Sequence, residues 1–563
     1  LVVQRIGALA PAGAVVVQAK ATLVKNTELM MNNSQSVALD LSEWASMGDW
    51  RWLFIHRDRI EKVTTADVNR VAATYFKPDN RTVGLFVPTE APSRVTIPAV
   101  TDAEIAAAAT AYRGRAVMAA GEAFDPTPEN IDARTQRSKL ANGFTLALLP
   151  KQTRGSTVQA RVTLRFGDLR SLTNRSTAAQ IMGQMLDKGT KNRTRQQIRQ
   201  EFDRLRAQVS VGGAGNNVVV SISTTKENLM PTLALVGEIL KEPSFPESEF
   251  EEIRRQNLAG IESQKSEPTT LAIVEFQRRM SPYPKGHPLE TTTIDEDIAE
   301  MQALTLAQVK AVYTELVGAS YGDLAVVGDF DAAAVSTWAR ETFAGWRSPR
   351  PFARLERRYF DVPQFTASIE TPDKANAFFI AGQNLRIRDD QPDYAALSIG
   401  NFILGGGFLN SRLATRIRQR DGISYGVGSG FGAQSLDEVG SFTANAIYAP
   451  ENILRLESAF GEEMGRILTD GITAEELEAA RSAWLQQRVQ QRANDGFVAG
   501  MFSNQYITGR TMAFESQLEA RVRALTVQDV NAAMRRHINL SRISTVKAGD
   551  FKNKPATPLP TRP

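Results

Sequence analysis

The sequence predicts an α+β protein built from repeated domains, in each of which an antiparallel sheet carries helices packed on one face. Three observations predict this class: an ending that occurs three times, a charged amphipathic helix that precedes each ending, and alternating strands separated by long helices. At 563 residues the chain is too long for a single core. We therefore expect several related domains.

The recurring ending is a threonine-capped helix followed by an apolar run. Its threonines are Thr64, Thr305 and Thr526, and each has an acid or an amide three residues on. This spacing is the capping-box arrangement, in which two side chains satisfy the free N–H groups at the start of a helix. The copies lie about 240 and about 220 residues apart, the size of a whole domain. We expect two complete modules and the end of a third.

Composition places the boundaries between these modules. The pair Asn142-Gly143 between apolar residues is a hairpin signal that opens the second module, and proline clusters mark the linkers. The first amphipathic helix lies just inside residue 1, so we expect the first module to be incomplete. The expected division is a domain remnant over 1–90, a linker over 91–134, a domain over 135–346, a short linker over 347–356, a carboxy-terminal domain over 357–553 and a tail over 554–563.

Composition also excludes several classes of function. Lysine and arginine total 66 against 62 acidic residues, and the net charge of +4 is not gathered into blocks, so no nucleic-acid partner is expected. The chain has no cysteine, which excludes disulfides and thiolate chemistry. The sequence contains no apolar run of about 18 residues, so it does not predict a membrane span.

No metal site is predicted from the histidines. His56, His287 and His537 are isolated, and none has a partner four residues away that would put two imidazoles on one helical face. The pattern GxSxG occurs at residues 318–322 and 422–426, but a serine nucleophile also needs a nearby histidine base, which these isolated histidines do not indicate. We expect all three histidines to be structural or surface residues.

One constellation remains that could carry chemistry. It begins at Gly405, Gly406 and Gly407, which would let the backbone pass close to a neighbouring segment or a substrate. Arg418 and Tyr425 follow, seven residues apart with a glycine between them, so a helix that ends at the glycine could bring the tyrosine back beside the arginine. Two such groups would suit carbonyl binding and oxyanion stabilisation.

This stretch resembles the carboxy-terminal signature of the pitrilysin (insulinase) family of zinc metallopeptidases. In that signature a glycine-rich turn and SRL precede an arginine and, seven positions later, a tyrosine. Arg418 and Tyr425 match, whereas Gln419 replaces a common glutamate and Ile423 a usual leucine. The resemblance implies pitrilysin-type domains that enclose a chamber, catalytic roles for Arg418 and Tyr425, and substrate binding at Gly405 to Gly407.

The same family opens its catalytic domain with an inverted zinc motif, HxxEH. In the corresponding segment Gln180 and Gln184 stand at the histidine positions and Gly183 at the position of the glutamate base. These residues could neither hold zinc nor deprotonate a water molecule. The third ligand of the family would fall near residues 260–262.

The resemblance therefore implies the substrate-binding, zinc-free half of a zinc-dependent metalloendopeptidase, inactive on its own. Zn²⁺ is expected in a preceding amino-terminal half, in the same chain or in a separate subunit, and the substrate is expected to be a peptide or an unfolded protein. Two alternatives stay open: a non-catalytic partner subunit related to processing-peptidase subunits, and a peptide-binding scaffold. Fused bacterial members of the family favour the periplasm, with the cytoplasm as the alternative.

Overall fold

The computed structural model describes residues 13–31, 34–76, 102–113 and 120–559. The apolar run expected to end the first module, at residues 83–87, and Pro92 and Pro98 of the first linker lie outside these ranges. Within them, no helix combines the length and the apolar composition that a bilayer crossing requires.

A group of helices comes first in the described chain. The first of them is joined to the following domain at Asp203, whose two carboxylate oxygens accept hydrogen bonds from Lys25 Nζ at 2.6 Å and Thr22 Oγ1 at 2.9 Å. Both Lys25 and Asp203 are buried, and pairing offsets the cost of removing their charges from water. These helices are α1 (Gly13–Met30), α2 (Ser34–Ser46), α3 (Trp52–Lys62), α4 (Thr65–Tyr75) and α5 (Asp102–Ala111).

The first sheet has six strands in the order β1-β2-β6-β3-β5-β4, and only β2 and β6 run parallel. Its first two strands form the hairpin predicted at Asn142-Gly143, where Gly143 has a φ of +102°. The strands are β1 (Gln136–Lys139), β2 (Thr145–Pro150), β3 (Thr157–Arg165), β4 (Gln208–Ala214), β5 (Asn217–Thr225) and β6 (Gly322–Gly328). The accompanying helices are α6 (Pro128–Arg134), α7 (Leu169–Leu172), α8 (Ser176–Met185), α9 (Arg195–Arg204), α10 (Lys226–Lys241), α11 (Glu247–Ser263), α12 (Pro268–Met280), α13 (Ile294–Ala303), α14 (Leu306–Leu316) and α15 (Ala332–Phe343).

The second sheet has five strands in the order β7-β11-β8-β10-β9, and only β7 and β11 run parallel. The strands are β7 (Thr366–Glu370), β8 (Ala377–Leu385), β9 (Gly426–Ala433), β10 (Gly440–Tyr448) and β11 (Ser544–Gly549). The helices are α16 (Asp393–Asn401), α17 (Ile453–Thr469), α18 (Ala474–Arg492), α19 (Asp495–Thr508), α20 (Ala513–Ala524) and α21 (Val527–His537). Two π-helical segments, Phe402–Gly406 and Ala414–Arg420, lie between α16 and β9.

The α+β class is confirmed, with one addition to the expected layering. Each sheet buries one apolar face under helices of its own region. The opposite face receives a helix from the other region: Phe502 of α19 packs over β6, and Phe276 of α12 packs over β8 and β11. The two sheets therefore hold each other together through exchanged helices.

The three predicted capping boxes are all present. The hydroxyl groups of Thr64, Thr305 and Thr526 each accept a hydrogen bond from the backbone N–H three residues on. The side chain at that position in turn accepts a hydrogen bond from the backbone N–H of the threonine. The helices they start differ in burial, however. At the position seven residues after the threonine, Val312 of α14 and Ala533 of α21 are buried, whereas 43% of Val71 on α4 is exposed. Among the described residues, the face of α4 that carries Val71 is therefore less covered than the matching faces of its two counterparts.

The Thr305→Ala variant is expected to lower the free energy of unfolding by about 1 kcal/mol, because the N–H of Gln308 loses its acceptor. Urea unfolding measures this change. The control is Thr314→Ala on the same helix, since the exposed Thr314 hydroxyl bonds to the carbonyl of Lys310 and caps nothing. An equal loss in both variants would contradict the capping role.

Candidate functional site

The segment that carries Arg418 and Tyr425 is a helix that turns back on itself. The π-helical turns end at Arg420, and Gly422 adopts a φ of +62°. The backbone N–H of Ile423 then donates to the carbonyl of Ile417 at 2.9 Å. This reversal leads Tyr425 back along the helix immediately before strand β9 begins.

Arg418 differs from the other arginines of this segment, each of which has an acidic partner. Arg412 binds Glu476 through both carboxylate oxygens at 2.7 Å, Arg416 binds Asp421 and Glu462, and Arg420 donates to Asp421 at 3.4 Å. No described residue pairs with the half-buried Arg418. Its guanidinium therefore keeps all of its donors for a ligand.

Tyr425 is presented to solvent. Its side chain is 88% exposed, and no described residue bonds to its hydroxyl. A phenol in this position offers an apolar ring and a hydrogen-bond donor to an incoming molecule. The segment thus carries a half-buried cation on its helix and an exposed phenol just before β9.

The glycine turn has a packing role that the structure makes explicit. A Cβ at Gly405 would lie 2.6 Å from the backbone nitrogen of Ser429 in β9, and one at Gly406 would lie 2.9 Å from Asn401 Nδ2. The Ser429 hydroxyl donates to Asn401 Oδ1 at 2.7 Å. These contacts hold the turn, which includes Gly407, against edge strand β9. The substrate-binding role of the three glycines stays a prediction.

The positions of the lost zinc motif lie on α8. Gln180 is exposed, and the Gln184 Oε1 atom accepts a hydrogen bond from Asn257 Nδ2 at 3.3 Å. Gly183 lies against β4, where a Cβ would be 2.6 Å from the Cα atom of Gly213. A glutamate therefore has no room at position 183. Asn257, which donates this bond to Gln184, lies on α11. It is about one helical turn before residues 260–262, where the sequence predicts the third ligand of the family.

The donor set on α8 does not fit a zinc ion. Two neutral amides and a glycine provide neither imidazole nor carboxylate, which are the ligands that zinc prefers. Among the described residues, no group of three or more histidine, aspartate or glutamate side chains is placed to hold a metal.

The three histidines lie in separate places. The ring of His56 packs against Trp44 and that of His287 stacks on Tyr283, whereas His537 Nε2 lies 2.8 Å from Asp393. Burial lowers the pKa of His287, with a smaller contribution from Arg358. A shared histidine site is therefore absent from the described chain.

Comparison with known sequences decides the family. The profile described as "Insulinase (Peptidase family M16)" matches residues 146–297, and that described as "Peptidase M16 inactive domain" matches residues 303–483. The chain belongs to peptidase family M16. Helix α8, where the zinc-ligand positions carry Gln180 and Gln184, lies within the match to the Insulinase profile.

The relatives of this chain include one named a non-peptidase and one named a zinc protease. A "Non-peptidase homolog YmxG" of Helicobacter pylori is 22% identical over 65% of this chain and 83% of that protein. An "Uncharacterized zinc protease" of Rickettsia bellii is 23% identical over 61% of this chain and 81% of that protein.

Solved M16 structures share the fold. The peptidase M16 inactive domain from Pseudomonas fluorescens matches with a TM-score of 0.66 and 25% identity, covering 76% of this chain and 100% of that chain. The periplasmic protease PqqL from Escherichia coli matches with a TM-score of 0.62 and 14% identity, covering 94% of this chain and 63% of that chain.

One residue of this M16 site escaped the sequence argument. Arg412 also donates to the carbonyl of Gly471 at 2.8 Å, so it ties the glycine turn to the start of α18. Burial would raise the pKa of its partner Glu476, but hydrogen bonds from Arg412 and Thr473 lower that pKa below the usual value. The charged pair at 412 and 476 thus positions the segment that presents Arg418. The sequence signal for Arg412 was its place in the SRL motif.

Proposed function

We propose that this chain is the substrate-binding, zinc-free half of a zinc-dependent metalloendopeptidase that degrades peptides in an enclosed chamber. The observation that carries the proposal is the contrast between two sites. On α8 the family's zinc ligands are replaced and backbone packs against the base position, whereas no residue of the described chain pairs with Arg418 or Tyr425.

The proposed roles follow from the chemistry of the two groups. The Arg418 guanidinium and the Tyr425 hydroxyl would donate hydrogen bonds to the carbonyl oxygen of the scissile peptide and hold it as negative charge develops there. Such donors act most strongly in a site that excludes water. The metal and the base would come from the other half.

The open face of α4 supports the existence of such a half. Its counterparts α14 and α21 pack on α8 and α16, the helices that follow early strands of their domains. We propose that an equivalent helix of a preceding M16-type domain covers Val71, whether in the same chain or in a separate subunit. Residues 1–90 would then end that domain, and 91–134 would link it to the domains 135–346 and 357–553.

We propose the periplasm as the compartment, with the cytoplasm as the alternative. The support is the shared fold of PqqL, a periplasmic protease, and a sequence without cysteine that needs no particular redox environment.

The purified chain is expected to hydrolyse no peptide, with or without added Zn²⁺, because no described group can hold the metal. Combined with the zinc-bearing half from the same or the adjacent coding sequence, it is expected to yield a peptidase. A fluorogenic peptide assay measures both. Zinc-dependent hydrolysis by the chain alone would contradict the assignment.

The second candidate is a non-catalytic partner or peptide-binding scaffold, which the non-peptidase relative in Helicobacter pylori favours. It predicts that the two halves associate and bind peptide without hydrolysing it. In that case Arg418 and Tyr425 would be dispensable.

A further inference from the structure

A cavity of about 990 Å³ lies where three parts of the chain meet. Its walls come from α1 and α2, from one end of the first sheet, and from the junction of α18 and α19. This volume is at the upper end of the range for ligand pockets. The cavity lies apart from the segment of Arg418 and Tyr425, which contributes none of its lining residues.

The lining is polar and almost uncharged. Nine of its fourteen residues carry an amide or a hydroxyl group, and Asp495 is the one charged residue among them. Asp495 lies 2.6 Å from Lys151, which compensates its charge. Small-molecule sites are mostly apolar, and nucleic-acid sites are basic. The lining matches neither, so it suits a neutral chain that is rich in hydrogen-bonding groups.

Several of the amides are available to a ligand. Gln159, Ser223 and Gln208 lie in one row across β3, β5 and β4, and Gln159 Nε2 donates to the Ser223 hydroxyl at 2.8 Å. Gln208 and, on the opposite wall, Gln490 make no side-chain hydrogen bond to any described residue. A primary amide both donates and accepts, so it can pair with a peptide N–H or a peptide carbonyl.

We propose that this cavity binds an extended peptide segment with uncharged polar side chains. The inference rests on the proposed function, because it names a second contact for the substrate of the chamber. Two apolar residues of the lining, Leu29 and Met30, offer a place for an occasional aliphatic side chain. No aromatic ring lines the cavity, which leaves sugar rings without a stacking surface.

The test is a binding titration with the full chain and no zinc half. The probe is a fluorescein-labelled ten-residue peptide of glycine, serine, asparagine and glutamine, followed by anisotropy. The double variant Gln208→Leu, Gln490→Leu is expected to weaken binding by about tenfold or more, since two hydrogen-bonding walls are lost. The matched control is Gln196→Leu, an exposed glutamine of α9 outside the lining, which is expected to bind as the unmodified chain does.

Three results would overturn the proposal: no saturable binding at millimolar peptide, equal affinity of the double variant and the control, or displacement of the peptide by a neutral oligosaccharide at lower concentration. The proposed function is tested separately. The cavity is tested by the binding difference between the Gln208→Leu, Gln490→Leu variant and the Gln196→Leu control, whereas the catalytic role is tested by peptide hydrolysis in the assembled peptidase, so the failure of one is distinguishable from the failure of the other.

Discussion

In the assembled peptidase, Arg418→Ala and Tyr425→Phe are each expected to lower kcat by about a hundredfold or more. Each change removes a donor aimed at the carbonyl oxygen on which negative charge develops. KM is expected to change much less, because a donor that acts mainly in the transition state contributes little to ground-state binding. Steady-state kinetics on a fluorogenic peptide separates the two parameters.

The matched control is Arg420→Ala. Arg420 lies on the same helical turn, its side chain is 61% exposed and it has Asp421 as a weak partner. Its loss is expected to leave kcat unaltered, and none of the three variants should unfold earlier in urea. Full turnover in both Arg418→Ala and Tyr425→Phe would contradict the catalytic roles proposed for these two residues.

Gly183→Glu, the change that would restore the base of the zinc motif, is expected to lower the free energy of unfolding by about 3 kcal/mol or more. The new side chain would meet the backbone of Gly213 in β4 and would bury a carboxylate without a partner. Urea unfolding measures the loss, and titration with zinc is expected to detect no site in the triple variant Gln180→His, Gly183→Glu, Gln184→His.

Gly260→Ala provides the control for this prediction. Gly260 lies inside helix α11, and no atom lies within 4 Å of a Cβ built there. Alanine is expected to stabilise the chain by about 0.5 to 1 kcal/mol, because it loses less backbone entropy on folding. A triple variant that folded normally and bound one zinc ion would show that β4 can move aside.

Features set by neighbours in the chain could be predicted from the sequence. The capping boxes at Thr64, Thr305 and Thr526 and the turn at Asn142-Gly143 depend on residues within a few positions of one another. The loss of the zinc motif followed from residue type alone, since Gln180 and Gln184 are not imidazoles. Short stretches of sequence determine local geometry and side-chain chemistry. The α+β class and the candidate site could therefore be predicted from the sequence.

What the tertiary structure decided depends on contacts between distant residues. Arg412 meets Glu476, and Gly183 meets Gly213, only because the sheets and helices bring them together. The same holds for the exchange of α12 and α19, the uncovered face of α4 and the polar cavity. Local sequence does not distinguish among the many possible long-range partners of a residue, and only tertiary packing selects one of them. The sequence by itself therefore determined which residues have the chemistry to act, and the fold decided which of them are free to do so.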